Sequence, residues 1–509
     1  MSPDTEVTIR LHDADNVVTA KETIPANTNL PAEELATTIE IPMGHKVATE
    51  AISAGEAIRK YDQIIGFATE QINPGAHVHT QNVEMKVFDR DYKFGEDAKP
   101  TDYVPDIERA KFQGILRPDG RVATRNYIGV LTSVNCSATA ARYIADAFSG
   151  DALADYPNVD GIVAYTHGTG CGMAGSGLGW ELLQATINGY KRHPNFAALL
   201  MVGLGCEVNQ VAGMLERHGW TQDGTFQAMT IQDTGGTMAT VQEGVARVKE
   251  MLPEANKAVR EPLAASNLKL GLECGGSDAY SGISANPSLG AAADLLVRNG
   301  GTAILAETPE IYGAEHLLTR RAETREVGEK LVEFIRWWED YTEKNGAEMN
   351  NNPSPGNKAG GLTTILEKSL GAAAKGGTTN LVDVYQYAEE VTAKGFTFMN
   401  TPGYDVASVT GMVAGGANVV CFTTGRGSVF GCKPVPSIKL ATNSAMYEHM
   451  SEDMDINCGL VVDGEANVQE MGQKIFDVIL RVASGEQSKS ESLGFGGDEF
   501  VPWQIGAVM

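Results

Sequence analysis

From Gly114 onward the chain alternates short apolar runs with amphipathic stretches of helical period. NYIGVLTSV is followed by SATAARYIADAF, GIVAYTHG by WELLQATINGY, and AALLMVGLGC by another helical run. TFQAMTIQDTGG repeats the cycle and VQEGVARVKEML closes it. Strands that are apolar throughout and separated by helices do not suit an antiparallel meander with one wet face. They call for a mostly parallel sheet covered on both sides. The same constraint says where chemistry belongs, because ligands of open parallel sheets bind outside the carboxyl ends of the strands.

A chain of 509 residues is too long for one core. The expected class is α/β with a small β-rich domain in front. Residues 1–92 hold short β segments broken by Gly, Pro and Asn, and 93–110 read as a charged linker. Residues 111–255 form the first α/β domain, and a charged helix is expected through Glu254–Pro262. Residues 266–509 form a second α/β region, Rossmann-like towards its C-terminus.

The net charge of -25 is dispersed along the chain. It argues against nucleic acid, which needs a basic footprint. Any anionic substrate would need local positive charge. No apolar stretch is long enough to cross a bilayer, and the N-terminus lacks a basic region followed by an apolar one. A cytoplasmic enzyme acting on a small molecule is expected, with a homo-oligomer as the ordinary state for that size.

Unusual residues stand at the predicted strand ends. Cys136 follows LTSVN, Cys171 closes YTHGTGC, Cys206 closes LMVGLGC and Cys274 closes LKLGLEC. Buried thiols are often mere core filling, and Cys421 in NVVCF reads that way. The other four sit at strand-to-loop switches, so they are expected to gather around a metal. Soft thiolates select iron–sulfur clusters, zinc or copper(I), and three cysteines would leave one iron of a cluster open to substrate. A Cys171–His167 nucleophile pair is the competing catalytic reading. His77 and His79 share one side of a strand and could jointly ligate a metal, although spacing alone reads as a solvated face. His45 with Lys46 on a Gly turn offers an acid–base group beside a positive charge. Arg125 with its neighbours Arg117 and Arg121, Lys358 among glycines, and Arg426 in TTGRG make an anion pocket.

The motifs HDADN, GHKVA, RPDGRVATRN, HGTGC, GLGCE, ECGGSD with GISANP, NPSPGNKAGG and TGRG, in that order, resemble the altronate/galactarate dehydratase family of sugar-acid dehydratases. The resemblance covers nearly the full length. It implies an N-terminal SAF-type β-clip domain, iron dependence as Fe2+ or a [4Fe-4S] cluster, and dehydration of a sugar acid to a 3-deoxy-2-keto acid. On family position His45, Lys46 and His167 are expected to be catalytic. Arg125, Asp278, Lys358 and Arg426 are expected to bind substrate, and Cys136, Cys171, Cys206 and Cys274 to bind the metal. A sulfolactate sulfo-lyase-like C–S lyase and a non-catalytic sugar-acid-binding protein remain as alternatives.

Overall fold

In the computed structural model, which describes residues 7–86, 90 and 92–506, the chain opens with short antiparallel strands. Thr8–Ile9, Val17–Ala20, Lys46–Ala48 and His77–Val78 make one sheet, and Ala57–Lys60, Gln63–Ala68 and Val83–Glu84 make another. Val17, Ile58, Ile65 and Val78 fill the space between them, and Ala314, Leu370 and Ala373 of the later chain seal that core. This β-rich unit therefore shares a hydrophobic core with the C-terminal region.

Residues 93–110 run as an extended strap rather than a free tether. Gly95 and Asp97 donate backbone bonds to Thr319 and Arg320, and Val104 donates to Arg298. The strap ends in Lys111–Leu116, which pairs antiparallel with Val122–Ala123 and with Arg260–Ala264. The helix expected through Pro262 is therefore absent. Helix Thr237–Ala255 stops at Asn256, and the next residues become an edge strand, where a proline lacking an N–H is tolerated.

The first parallel sheet has the order Gly161–Tyr165, Tyr127–Thr132, Phe196–Gly203, Phe226–Thr230. The second has seven parallel strands: Leu381–Tyr385, Gly395–Met399, Thr302–Leu305, Lys269–Cys274, Val419–Thr424, Ser437–Ala441 and Ile456–Asn457. After the first strand, Lys269–Cys274, the chain adds Thr302–Leu305 beside it, skips a place to the edge strand Leu381–Tyr385, comes back to insert Gly395–Met399 between those two, and then crosses to the other side. The sheet is Rossmann-like in being parallel and wound to both sides of its first strand, as expected, with that inserted strand as a departure from the simple order. Its switch point lies between Lys269–Cys274 and Val419–Thr424. Helices Ala285–Arg298 and Val468–Ala483 cover one face, and an added Cβ at Gly472 would meet Ala291 Cβ at 2.5 Å, so the pair packs closely. Helix Leu178–Arg192 of the first sheet packs on Asp405–Ala414 of the second, with Gly189 against the Ala414 carbonyl. Among the described residues no helix is long and apolar enough to cross a membrane.

Candidate active site

Strands Tyr127–Thr132, Gly161–Tyr165 and Phe196–Gly203 lie side by side, so the loops leaving them emerge together. Those loops carry Cys136, Cys171 and Cys206, and all three thiols are exposed. The loops are laced to one another. Asn135 N–H donates to the Thr169 carbonyl at 3.0 Å, Asn209 N–H to Gly170 at 3.0 Å, and the Asn209 side chain to Ser133 at 2.9 Å. Glu207 accepts from the Ser133 hydroxyl at 2.6 Å and from the Leu204 and Gly205 N–H groups. Burial first, then the neighbouring Cys171 and Cys206 thiols, push the Cys136 thiol up, as expected of sulfurs sharing one neighbourhood.

His167 is fully engaged in holding that arrangement. Its Nε2 lies 3.1 Å from the Thr132 carbonyl, which can only accept, so Nε2 carries the proton. Its Nδ1 faces Thr169 Oγ1 at 2.9 Å and accepts from Thr169 N–H. Burial brings its pKa down to about 4. The expected acid–base role, and with it the Cys171 nucleophile pair, gives way to a neutral clasp for the HGTGC loop.

The fourth cysteine stands apart. Cys274 ends a strand of the other sheet and is buried, with its sulfur 3.6 Å from Glu307 and 3.5 Å from Glu310. Cys274 therefore does not join Cys136, Cys171 and Cys206, and the expected set of four thiols around one metal is not formed. Around Cys274 lies a network that the sequence reading did not assemble. Glu310 pairs with Lys368 at 2.6 Å, Glu307 with Lys375 at 3.2 Å, and Asn352 bonds both Glu310 and Lys368. Glu307 takes φ +68, a strained conformation for a non-glycine residue. Burial, then Glu307 and Glu310, push Asp405 up to about 7. Asp405, Glu310, Lys368, Asn352, Asn357 and Tyr404 line a cleft of about 440 Å³. Glu307 and Glu310 were recognisable in AILAETPE, but Lys368 and Asp405 carried no local signal.

The same cleft borders the switch point. The Gly275–Asp278 loop meets the turn after Val419–Thr424, where a Cβ on Gly425 would lie 2.1 Å from Asp278 Cγ. Asp278 is buried and its oxygens are taken by Ser281, Tyr280 N–H, Thr442 and Asn443. Its expected substrate contact is replaced by a structural one, ordering the loops. Turn Pro355–Ala359 is capped by Ser354, and its Asn357 donates to Ser277 at 2.8 Å. Next to it, a Cβ on Gly360 would stand 3.2 Å from Arg426 Cδ. Arg426 is exposed and Lys358 half-buried. Among the described residues neither side chain has a hydrogen bond or ion pair.

The N-terminal domain docks on the same turn. His45 Nε2 faces the Ala359 carbonyl at 3.4 Å, and Gly44 packs on Gly360 and Gly361. Lys46 is not an active-site cation. It is buried, 2.9 Å from Glu367 and 2.7 Å from the Gly361 carbonyl, and Glu367 also holds Lys60 at 3.1 Å. His45 is joined by His77 and His79, with ring centroids between 4.3 and 5.5 Å apart.

Arg125 is also reassigned. Its five N–H donors reach Glu491 twice and the carbonyls of Thr124, Val482 and Glu486. It clamps the C-terminal segment and has nothing left for a substrate.

Among the described residues, three groups bring ligand atoms within 4.8 Å of one another: His45, His77 and His79; Cys274, Glu307 and Glu310; and Glu273, Glu307 and Asp405. Lys368 and Lys375 already neutralise the last two, so a cation there would have to displace ammonium groups.

Residues 6–86 match the altronate/galactarate dehydratase SAF domain. Residues 114–256 match the second domain of D-galactarate dehydratase/altronate hydrolase, and 265–508 match the C-terminal domain of D-galactarate/altronate dehydratase. The altronate dehydratase of Bacillus subtilis is 34% identical over 490 residues, covering 96% of this chain and 97% of its own. The galactarate dehydratase (L-threo-forming) of Escherichia coli is 36% identical over 492 residues, 94% of this chain and 93% of its own. The altronate dehydratase of Escherichia coli is 34% identical over 492 residues, 96% of this chain and 97% of its own.

Proposed function

This chain belongs to the D-galactarate/altronate dehydratase family and is a hydro-lyase, and from that premise we propose that it removes water from an aldonate or aldarate sugar acid, of altronate or galactarate type, to give a 3-deoxy-2-keto acid with iron as cofactor. One observation carries the substrate class. In a chain of net charge -25, two unpaired cations, Lys358 and Arg426, are carried by segments that approach each other at Gly360, near the switch point. A planar guanidinium suits a carboxylate held bidentately.

The reaction breaks C2–H and C3–OH. The C2 proton is hard to remove because the adjacent carboxylate is already negative. Arg426 and Lys358 offset that charge and fix the acid end of the chain. Asp405, with its pKa at about 7, is placed to take the C2 proton. Lys368, 2.6 Å from Glu310 and lining the same cleft, serves as the proton donor for the departing hydroxyl. The enol that forms tautomerises to the 2-keto acid. The donors that suit iron are Cys136, Cys171 and Cys206, soft exposed thiols on adjacent strand ends. Iron bound there would supply Lewis acidity.

Anaerobically prepared protein, assayed with altronate and galactarate for 2-keto acid with and without added iron, tests the reading. Arg426→Ala should raise KM at least about 10-fold by removing a charge-assisted contact. No turnover of any polyhydroxy acid after iron loading would leave the binding-protein alternative standing. Sulfite release from sulfolactate would favour the C–S lyase.

A further inference from the structure

We propose that His45, His77 and His79 form a separate site for a borderline divalent ion of the zinc or ferrous class, at the seam between the N-terminal domain and the Lys358 turn. Strands Lys46–Ala48 and His77–Val78 pair antiparallel with Val47 opposite His77, which brings His45 onto the same patch as the HVH segment. The three side chains place ligand nitrogens within 4.8 Å of one another. His45 Nδ1 and His77 Nε2 stand 2.9 Å apart. Two bonds of about 2.0–2.1 Å at a tetrahedral angle place their nitrogens about 3.3 Å apart. An ion thus needs only a few tenths of an ångström of opening.

Second, His79 Nδ1 is buried and finds no hydrogen-bond partner among the described residues. A buried polar nitrogen left unpaired costs about 1–3 kcal/mol. Third, His45 Nε2 faces the Ala359 carbonyl, which fixes the proton there and turns the Nδ1 lone pair towards His77. Lys46 lies next to the trio, but Glu367 at 2.9 Å offsets its charge.

Three imidazoles leave coordination positions open, which is the pattern of a working ion rather than a closed structural one. An ion here would add its charge to that of Lys358 and Arg426. That consequence rests on the dehydratase reading; the metal site itself does not.

Cobalt(II) titrated into chelator-treated full-length protein, followed by its visible ligand-field bands, tests the site without any turnover. One equivalent per chain should bind tightly in the Cys136→Ser, Cys171→Ser protein, which removes cobalt held by the thiols. His79→Gln, which keeps the side-chain volume, and His77→Ala should each weaken binding at least about 100-fold. Cys136→Ser with Cys171→Ser should leave these bands in place. Circular dichroism and the unfolding midpoint show whether each variant is folded, and His45→Gln serves if one of the others is not. The proposal is overturned if the bands are absent in the parent protein, if they survive both histidine changes, or if they disappear with the thiols instead.

Discussion

The Lys46–Glu367–Lys60 triad joins the N-terminal domain to the C-terminal region, and it makes an asymmetric prediction. All three side chains are buried, with Glu367 2.9 Å from Lys46 and 3.1 Å from Lys60. Burial opposes ionisation of Glu367, but Lys46 and then Lys60 hold its carboxyl at about 2 against an ordinary 4.5. At about 1.36 kcal/mol per decade that is a few kcal/mol in favour of the fold. Burial pushes Lys46 from 10.5 down to about 8 despite its partner, and by the same conversion its ammonium costs the fold a few kcal/mol. Glu367→Gln leaves two buried ammonium groups without a counter-charge and should cost about 3–5 kcal/mol. Lys46→Met removes a charge that was costly to bury and leaves Glu367 paired with Lys60. The loss is then mainly the bond to the Gly361 carbonyl, about 1 kcal/mol.

The pH dependence follows. Glu367 is depressed in the fold, so its contribution is complete above about 4.5 and is lost as pH falls towards 2. Lys46 is also depressed, so between about pH 8 and 10.5 the unfolded chain binds a proton that the fold does not, and stability rises with pH. Lys46→Met should abolish that alkaline rise. Native-state hydrogen exchange in Lys46–Ala48 and Gln63–Ala68 measures both effects. Equal losses in the two variants, or an alkaline rise that persists without Lys46, would refute the reasoning.

Other outcomes follow from single sites. Arg125→Ala should destabilise the protein by about 3 kcal/mol by leaving partly buried Glu491 unpaired, seen as a lower unfolding midpoint with KM unchanged. Asp405→Asn should lower kcat by about 100-fold or more and remove the rise of kcat/KM with pH through neutrality, read from the pH–rate profile. Gly170→Ala should disrupt the thiol loops, because φ is +98 and the added Cβ would lie 2.3 Å from the Ser133 carbonyl. Its iron content after anaerobic reconstitution should fall well below that of the parent.

What was legible in the chain was local. The alternation of apolar runs and helical stretches specified parallel sheets, because side-chain period and strand burial are set within a few residues. A parallel sheet then put Cys136, Cys171 and Cys206 at adjacent strand ends and left Arg426 at a carboxyl edge. The HVH alternation put His77 and His79 on one side of a strand. Docking decided the rest. Arg125 looked like a substrate cation until Glu491, far along the chain, took its guanidinium. Lys46 looked like a site charge until Glu367 buried it. Cys274 shares its local setting with the other three cysteines, but its strand entered a different sheet, among Glu307 and Glu310. His45 gained its partners only when the N-terminal strands paired. The physical reason is common to all four. Local pattern determines which element a residue sits on and which face it occupies. Whether a polar group becomes a buried clamp or stays free for a ligand depends on what packs against it, and those neighbours come from distant parts of the chain.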